Sequence, residues 1–274
     1  MSSAQVFPAF DDRFSDLNQF ILESVKAYEM GRIKSWDALE ERVNVYFTLE
    51  RMEQMESVVP GWQKMASYSD GITLVHVMCV FLGLFMLPEF QRLSPEQQKL
   101  AKWIVLFHDL AKLHIRGKRD TMHAFHSAVL AARQLPHFGF AASSDYDNLL
   151  SSWSELTYKA AKISADFPEP IQDNEKLSEI LIGVERMFGK DTPSALIVQC
   201  VLLHMSINVV SDWPQAAPLS NEEIKRYITS DLEPLLKVMM LSDNEGWVMF
   251  YPEREQQRTE TLQAFEMIEQ LKSI

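Results

Sequence analysis

Apolar residues recur at spacings of three and four along almost the whole chain, and strand-like alternation is hard to find, so the pattern predicts an all-α protein. A first helix is expected from Phe14 to Met30, with Phe14, Leu17, Phe20, Ile21 and Val25 on one stripe and Gly31 just beyond. A second runs from Trp36 to about Val58 and stops before Pro60-Gly61. These two read as an N-terminal extension, residues 1–70, packed on the rest; their stripes serve equally as a surface for a second copy, so a homodimer stays open. The next helix spans Ile72 to Leu87. Ser94-Pro95-Glu96-Gln97 combines an N-cap, a proline at the first helical position and a capping-box glutamine, opening a helix that reaches about Lys112. Further helices are expected from Met122 to Pro136, from Asp145 to Ile163 and from Lys176 to Met187, with a break at Phe167-Pro-Glu-Pro. Thr192-Pro193 starts a long one that runs to about Val210, and Ser220-Asn-Glu-Glu223 is another capping box. Leu232 to Leu241 then leads into Ser242-Asp243-Asn-Glu-Gly246. With no repeat and no linker, residues 71–250 form the expected core, and a last helix from Glu253 to Lys272 closes the chain within residues 251–274.

Composition narrows the class. With 274 residues, 47% of them hydrophobic, the chain can bury a large core. A net charge of −12 argues against a general nucleic-acid binder and against attraction to an anionic membrane surface, so an anionic substrate needs a local positive site. Cys79 and Cys200 are far apart in apolar surroundings and offer neither a disulfide framework nor a zinc knuckle. Together with Asp11 and Asp12 where a signal sequence would be basic and then apolar, this fits a cytoplasmic protein. The longest apolar run, Leu74 to Leu87, contains His76 and is shorter than the roughly 20 residues that span a bilayer, so it reads as a buried helix.

The chemistry gathers on histidines. Trp103-Ile-Val-Leu-Phe-His108-Asp109-Leu-Ala-Lys112 ends an apolar run in an adjacent imidazole and carboxylate; Lys112 follows at a spacing that shares a face with either. Neighbours on a helix point about 100° apart, so His108 and Asp109 converge only on something held between them, and a divalent cation accepts both nitrogen and oxygen. His76 and His204 sit in strongly apolar runs, where an imidazole needs partners for its nitrogens. A core histidine bonded to a carbonyl explains any one of them; one shared metal site explains several together, with Asp109 and Asp243 following apolar segments. Arg116, Lys118 and Arg119 form a basic loop, read first as a solvated one.

In order, His76, the His108-Asp109-x-x-Lys112 arrangement and a distal Asp243 resemble the HD-domain metal-dependent phosphohydrolase superfamily. Leu106-Phe-His108-Asp109-Leu-Ala-Lys112 is similar to its apolar-His-Asp-apolar-small-Lys signature, and His123-Ala-Phe-His-Ser127-Ala128 to its downstream histidine motif. His204 and Leu241-Ser-Asp243 occupy the places of the remaining ligands. The resemblance covers about Gly71 to Gly246. It implies an HD-domain helical bundle with His76, His108, Asp109 and Asp243 around one divalent ion, and with His123 and His204 adding a second ion bridged by Asp109. The metal would be one or two of Fe, Mn, Mg, Zn, Ni or Co. His126, one turn from His123 on the same face, competes with it, and the spacing to Ser127-Ala128 favours His123. The implied activity is hydrolysis of a nucleotide or other small phosphoester by metal-activated water, with Asp109 and Lys112 catalytic and with Lys112 and Arg116 on an anionic substrate. Two alternatives accompany it: a di-iron oxygenase of the same superfamily that cleaves a C–C or C–P bond, and a non-catalytic signalling or scaffold protein, against which the retained ligand types speak. No glycine-rich phosphate loop occurs, and no Gly-Tyr-Pro follows Asp109 as in cyclic-dinucleotide members. His114 and His137 match no position. Asn208, one turn after His204, and Glu245, two residues after Asp243, are candidates to support the ligands from behind, with capping or surface duty the first reading for both.

Overall fold

The computed structural model describes residues 7–113 and 119–273. Fifteen α-helices occur among them. The first five are α1 (Phe10–Arg13), α2 (Ser15–Glu29), α3 (Trp36–Tyr46), α4 (Leu49–Val58) and α5 (Trp62–Ala66). The middle of the chain supplies α6 (Ile72–Met86), α7 (Pro88–Arg92), α8 (Pro95–Phe107), α9 (His123–Gln134) and α10 (Tyr146–Lys159). The remainder are α11 (Leu177–Phe188), α12 (Pro193–Leu203), α13 (Asn221–Tyr227), α14 (Glu233–Val248) and α15 (Arg254–Ser273).

At the centre lies α6, with every residue from Thr73 to Leu84 buried. Counted with the turn before it, Tyr68–Met86 is long and apolar enough to cross a membrane by length and composition, yet here it is the helix around which the others pack. It runs against α14 at close range. A side chain on Gly83 would place its Cβ 2.9 Å from the Glu245 Cβ, and one on Gly246 would place it 2.5 Å from Val80 and 2.9 Å from the His76 ring. On the other side α12 packs on α9 and α8. The N-terminal helices belong to the same core: Phe10 and Phe14 meet Trp103 edge-on, and Phe10 meets Phe81. At the far end α15 buries Phe265 and Ile268, and its Arg254 donates to the buried Glu245 at 2.5 Å.

Several elements differ from the sequence pattern. The helix expected from Trp36 to Val58 breaks at Phe47-Thr48, where the Thr48 hydroxyl accepts from the Arg51 N–H and caps a new helix. The runs through His108 and His204 end one residue before those histidines, not at Lys112 and Val210. By contrast, α14 continues through Asp243 and Gly246 to Val248. A two-residue antiparallel pair, Ala161–Lys162 with Ile171–Gln172, brackets the Phe167-Pro-Glu-Pro break.

Candidate metal centre

Five elements each deliver one part of a buried cluster. His76 projects from the middle of α6 and Asp243 from the middle of α14. His108 is the C-cap of α8, with Asp109 in the turn after it; His204 is the C-cap of α12; His123 is the first residue of α9. Two helix C-termini therefore face the cluster, and their partial negative charge favours a cation there.

The six side chains gather in two sets, His76 with His108 and Asp243, and His123 with His204 and Asp109; within each set the donor atoms lie within 4.8 Å of one another. Asp109 faces both. Its Oδ2 is 3.5 Å from His76 Nε2 and 3.6 Å from His108 Nε2, and its Oδ1 is 3.3 Å from His123 Nε2. Asp243 Oδ1 lies 2.9 Å from His76 Nε2 and 3.8 Å from His108 Nε2. These separations bracket the ~3.0–3.5 Å between neighbouring ligands of an ion held at about 2.1 Å.

Hydrogen bonding fixes which nitrogens face inward. His108 Nδ1 donates to the Val105 carbonyl at 2.7 Å, His123 Nδ1 to the Asp120 carbonyl at 2.6 Å and His204 Nδ1 to the Val201 carbonyl at 2.7 Å. A carbonyl only accepts, so each ring carries its proton on Nδ1 and turns the Nε2 lone pair to the cluster. As a result His123 Nε2 and His204 Nε2 face each other at 3.2 Å, lone pair to lone pair, while His108 Nε2 and Asp109 Oδ1 are buried without a hydrogen-bond partner. Acceptors that converge in this way repel unless a cation joins them.

Protonation does not supply that cation. Burial pushes the imidazoles of His108, His123 and His204 below the ordinary histidine range, His123 down to about 3, and so leaves them neutral at pH 7. Burial works against ionisation of Asp109 too, but the Lys112 ammonium and the surrounding imidazoles outweigh it and hold the carboxyl well below the usual carboxylate range. For Asp243 the same opposition is decided by the His76 hydrogen bond, and its carboxyl is likewise held low. His108, His123 and His204 thus offer neutral imidazole nitrogens, and Asp109 and Asp243 ionised carboxylates, the donor set of a hard or borderline metal ion.

The other expected residues separate. Lys112 Nζ donates to Asp109 Oδ2 at 2.6 Å, at the edge of the cluster. Arg116, with Lys118 and His114, lies outside the described residues. Arg119 turns away to donate to the Pro214 carbonyl and to Gln215, both at 2.9 Å, over the ring of Trp213. His126 belongs to neither set and packs its ring 4.9 Å from that of Tyr158. His137 is exposed, and Asn208 accepts a turn hydrogen bond from the Gln215 N–H. Glu245 corrects its expected surface or capping role: it is buried and paired with Arg254.

Sequence reasoning missed four contributors. Trp247, one turn after Asp243, stacks on His76 with ring centroids 4.0 Å apart, and Trp36 of α3 lies parallel to it at 6.2 Å. Gly246 gives the His76 ring its space. Asp120 braces His123 through its carbonyl while its carboxylate accepts from the Leu113 and Met122 N–H groups. Only Trp247 carried a signal, its four-residue spacing from Asp243. Comparison with protein-family models, curated proteins and solved structures finds no match.

Proposed function

We propose that the chain is a metal-dependent phosphohydrolase or phosphodiesterase of the HD-domain kind, acting on a nucleotide or another small phosphoester. One observation carries this reading: the inward lone pairs of His108, His123 and His204, fixed by their own backbone carbonyls, meet the carboxylates of Asp109 and Asp243 in a buried cluster. His76, His108 and Asp243 would hold one ion, His123 and His204 a second, and Asp109 would reach both. When bound, such ions polarise a phosphoryl oxygen and bring the pKa of water to about 7.

The chain's own residues account for the rest. Neutral imidazoles and ionised carboxylates keep the site ready for cations at pH 7. Lys112, held beside Asp109 and partly open to solvent, would donate to a phosphate oxygen and offset its charge. Neither cysteine suits nucleophilic attack, because burial pushes both thiols up, away from the thiolate.

Elemental analysis after supply of Mn²⁺, followed by assays with p-nitrophenyl phosphate and bis-p-nitrophenyl phosphate, tests the proposal. About two ions per chain and hydrolysis of at least one ester are expected; Asp109→Ala should lose both while its circular dichroism stays helical. Undiminished metal in Asp109→Ala would sink the assignment. Four imidazoles with two carboxylates also suit iron. Oxygen uptake by the ferrous protein, without ester hydrolysis, would move the assignment to the oxygenase chemistry of the same superfamily.

A further inference from the structure

Among the described residues of the cluster, exposure is concentrated in two side chains. His76, His108, Asp109, His123 and His204 are all buried, whereas the Asp243 side chain is 17% exposed and that of Lys112 is 21% exposed. Trp247 stands on the same side: it is 42% exposed although one face of its indole covers the fully buried His76. Lys112 Nζ lies 5.4 Å from the Trp247 ring centre while bonded to Asp109, so cation, indole and carboxylate form one rim. Trp36 stacks against Trp247 as a second indole, with ring centroids 6.2 Å apart and planes within 7° of parallel. A tryptophan needed only to pack His76 would gain by burying its remaining surface. Part of the Trp247 indole therefore meets solvent beside Lys112, the one ammonium of the cluster among the described residues.

We infer that the solvent-open part of Trp247, backed by the stacked Trp36, is the binding platform for the organic part of the substrate, and that this part is a flat aromatic or heteroaromatic ring joined to the phosphate that Lys112 meets. The inference rests on the proposed phosphoester chemistry and names the class of ester. An anionic head at Lys112 directs the attached group across the rim, where a planar ring gains stacking that a puckered one does not.

Benzylphosphonate and cyclohexylmethylphosphonate carry the same charge and differ in flatness, and neither is an ester that can be cleaved. Titrated calorimetrically into the Mn²⁺-supplied protein, the aryl compound should bind about tenfold more tightly, the size of one stacked ring. Trp247→Leu should cut that ratio to less than about threefold, and Trp247→Phe, which keeps an aromatic face, should retain most of it. Equal affinities in the parent protein, no binding of either compound to metal-bearing protein, or an undiminished ratio in a folded Trp247→Leu variant would each overturn the platform. Metal content, measured on the same samples, separates the two ideas: metal uptake without an aryl preference defeats the platform alone, and no uptake defeats the metal-centre reading beneath it.

Discussion

A histidine buried at the end of a helix has two nitrogens to satisfy and one free carbonyl within reach. In His108 and His204 that carbonyl belongs to the third residue back, Val105 or Val201, one of the helix's own unpaired terminal acceptors. The local turn thus consumes the only N–H and commits the other nitrogen to the cluster. Acidity should disturb this. Because burial holds the folded values of His108, His123 and His204 below their unfolded ones, the unfolded chain binds more protons as pH falls below about 6.5, and stability drops on acidification through that window. The carboxylates of Asp109 and Asp243, also held low in the folded state, extend the loss below about pH 4. Urea midpoints of chelator-treated protein should therefore decline steadily from pH 7 to pH 4; a flat profile would contradict the neutral, buried imidazoles.

Among the elements, the α6 and α14 pair does most to set the site, since it carries His76, Asp243 and Trp247 and depends on Gly246 for its close approach. Gly246→Ala weighs two opposed effects. Alanine favours a helix by up to about 1 kcal/mol, while a Cβ 2.5 Å from Val80 and 2.9 Å from the His76 ring costs about 1–3 kcal/mol in overpacking. The clash should win, lowering the urea midpoint and the metal content together; a more stable variant with full metal would refute the close contact. Ser-Asp-Asn-Glu-Gly has the composition of a helix end, but Gly246 here serves a tertiary contact and the helix runs on. Caps and apolar stripes at Ser94, Thr192 and Ser220 were legible because they are local, and the histidines and aspartates that gather in the cluster stood out because the residue types are distinctive. Trp36 and the burial of Glu245 were not, since each depends on a helix far away in the chain.

Across the whole molecule, the terminal helix is fastened to the centre by charge as well as by packing. Glu245 is buried, and Arg254 reaches it from α15 while also donating to the Tyr28 hydroxyl of α2 at 2.7 Å. Arg254→Ala leaves that carboxylate only Arg258, 3.9 Å away, and should cost about 2 kcal/mol, less than a fully buried pair because Arg254 keeps some solvent. Replacing both residues with methionine should cost less than the single change, and thermal unfolding of the two variants compares them; equal losses would show that the pair contributes nothing beyond packing. The way His108, His123 and His204 are braced has an evolutionary corollary. Each of these rings carries its bracket within three residues of itself, so the spans of chain between them are free to lengthen or shorten while the rings keep their aim. A centre built in this manner can drift far in sequence and still be the same centre, which makes the three histidine turns a better search pattern for distant kin than any continuous stretch of the chain.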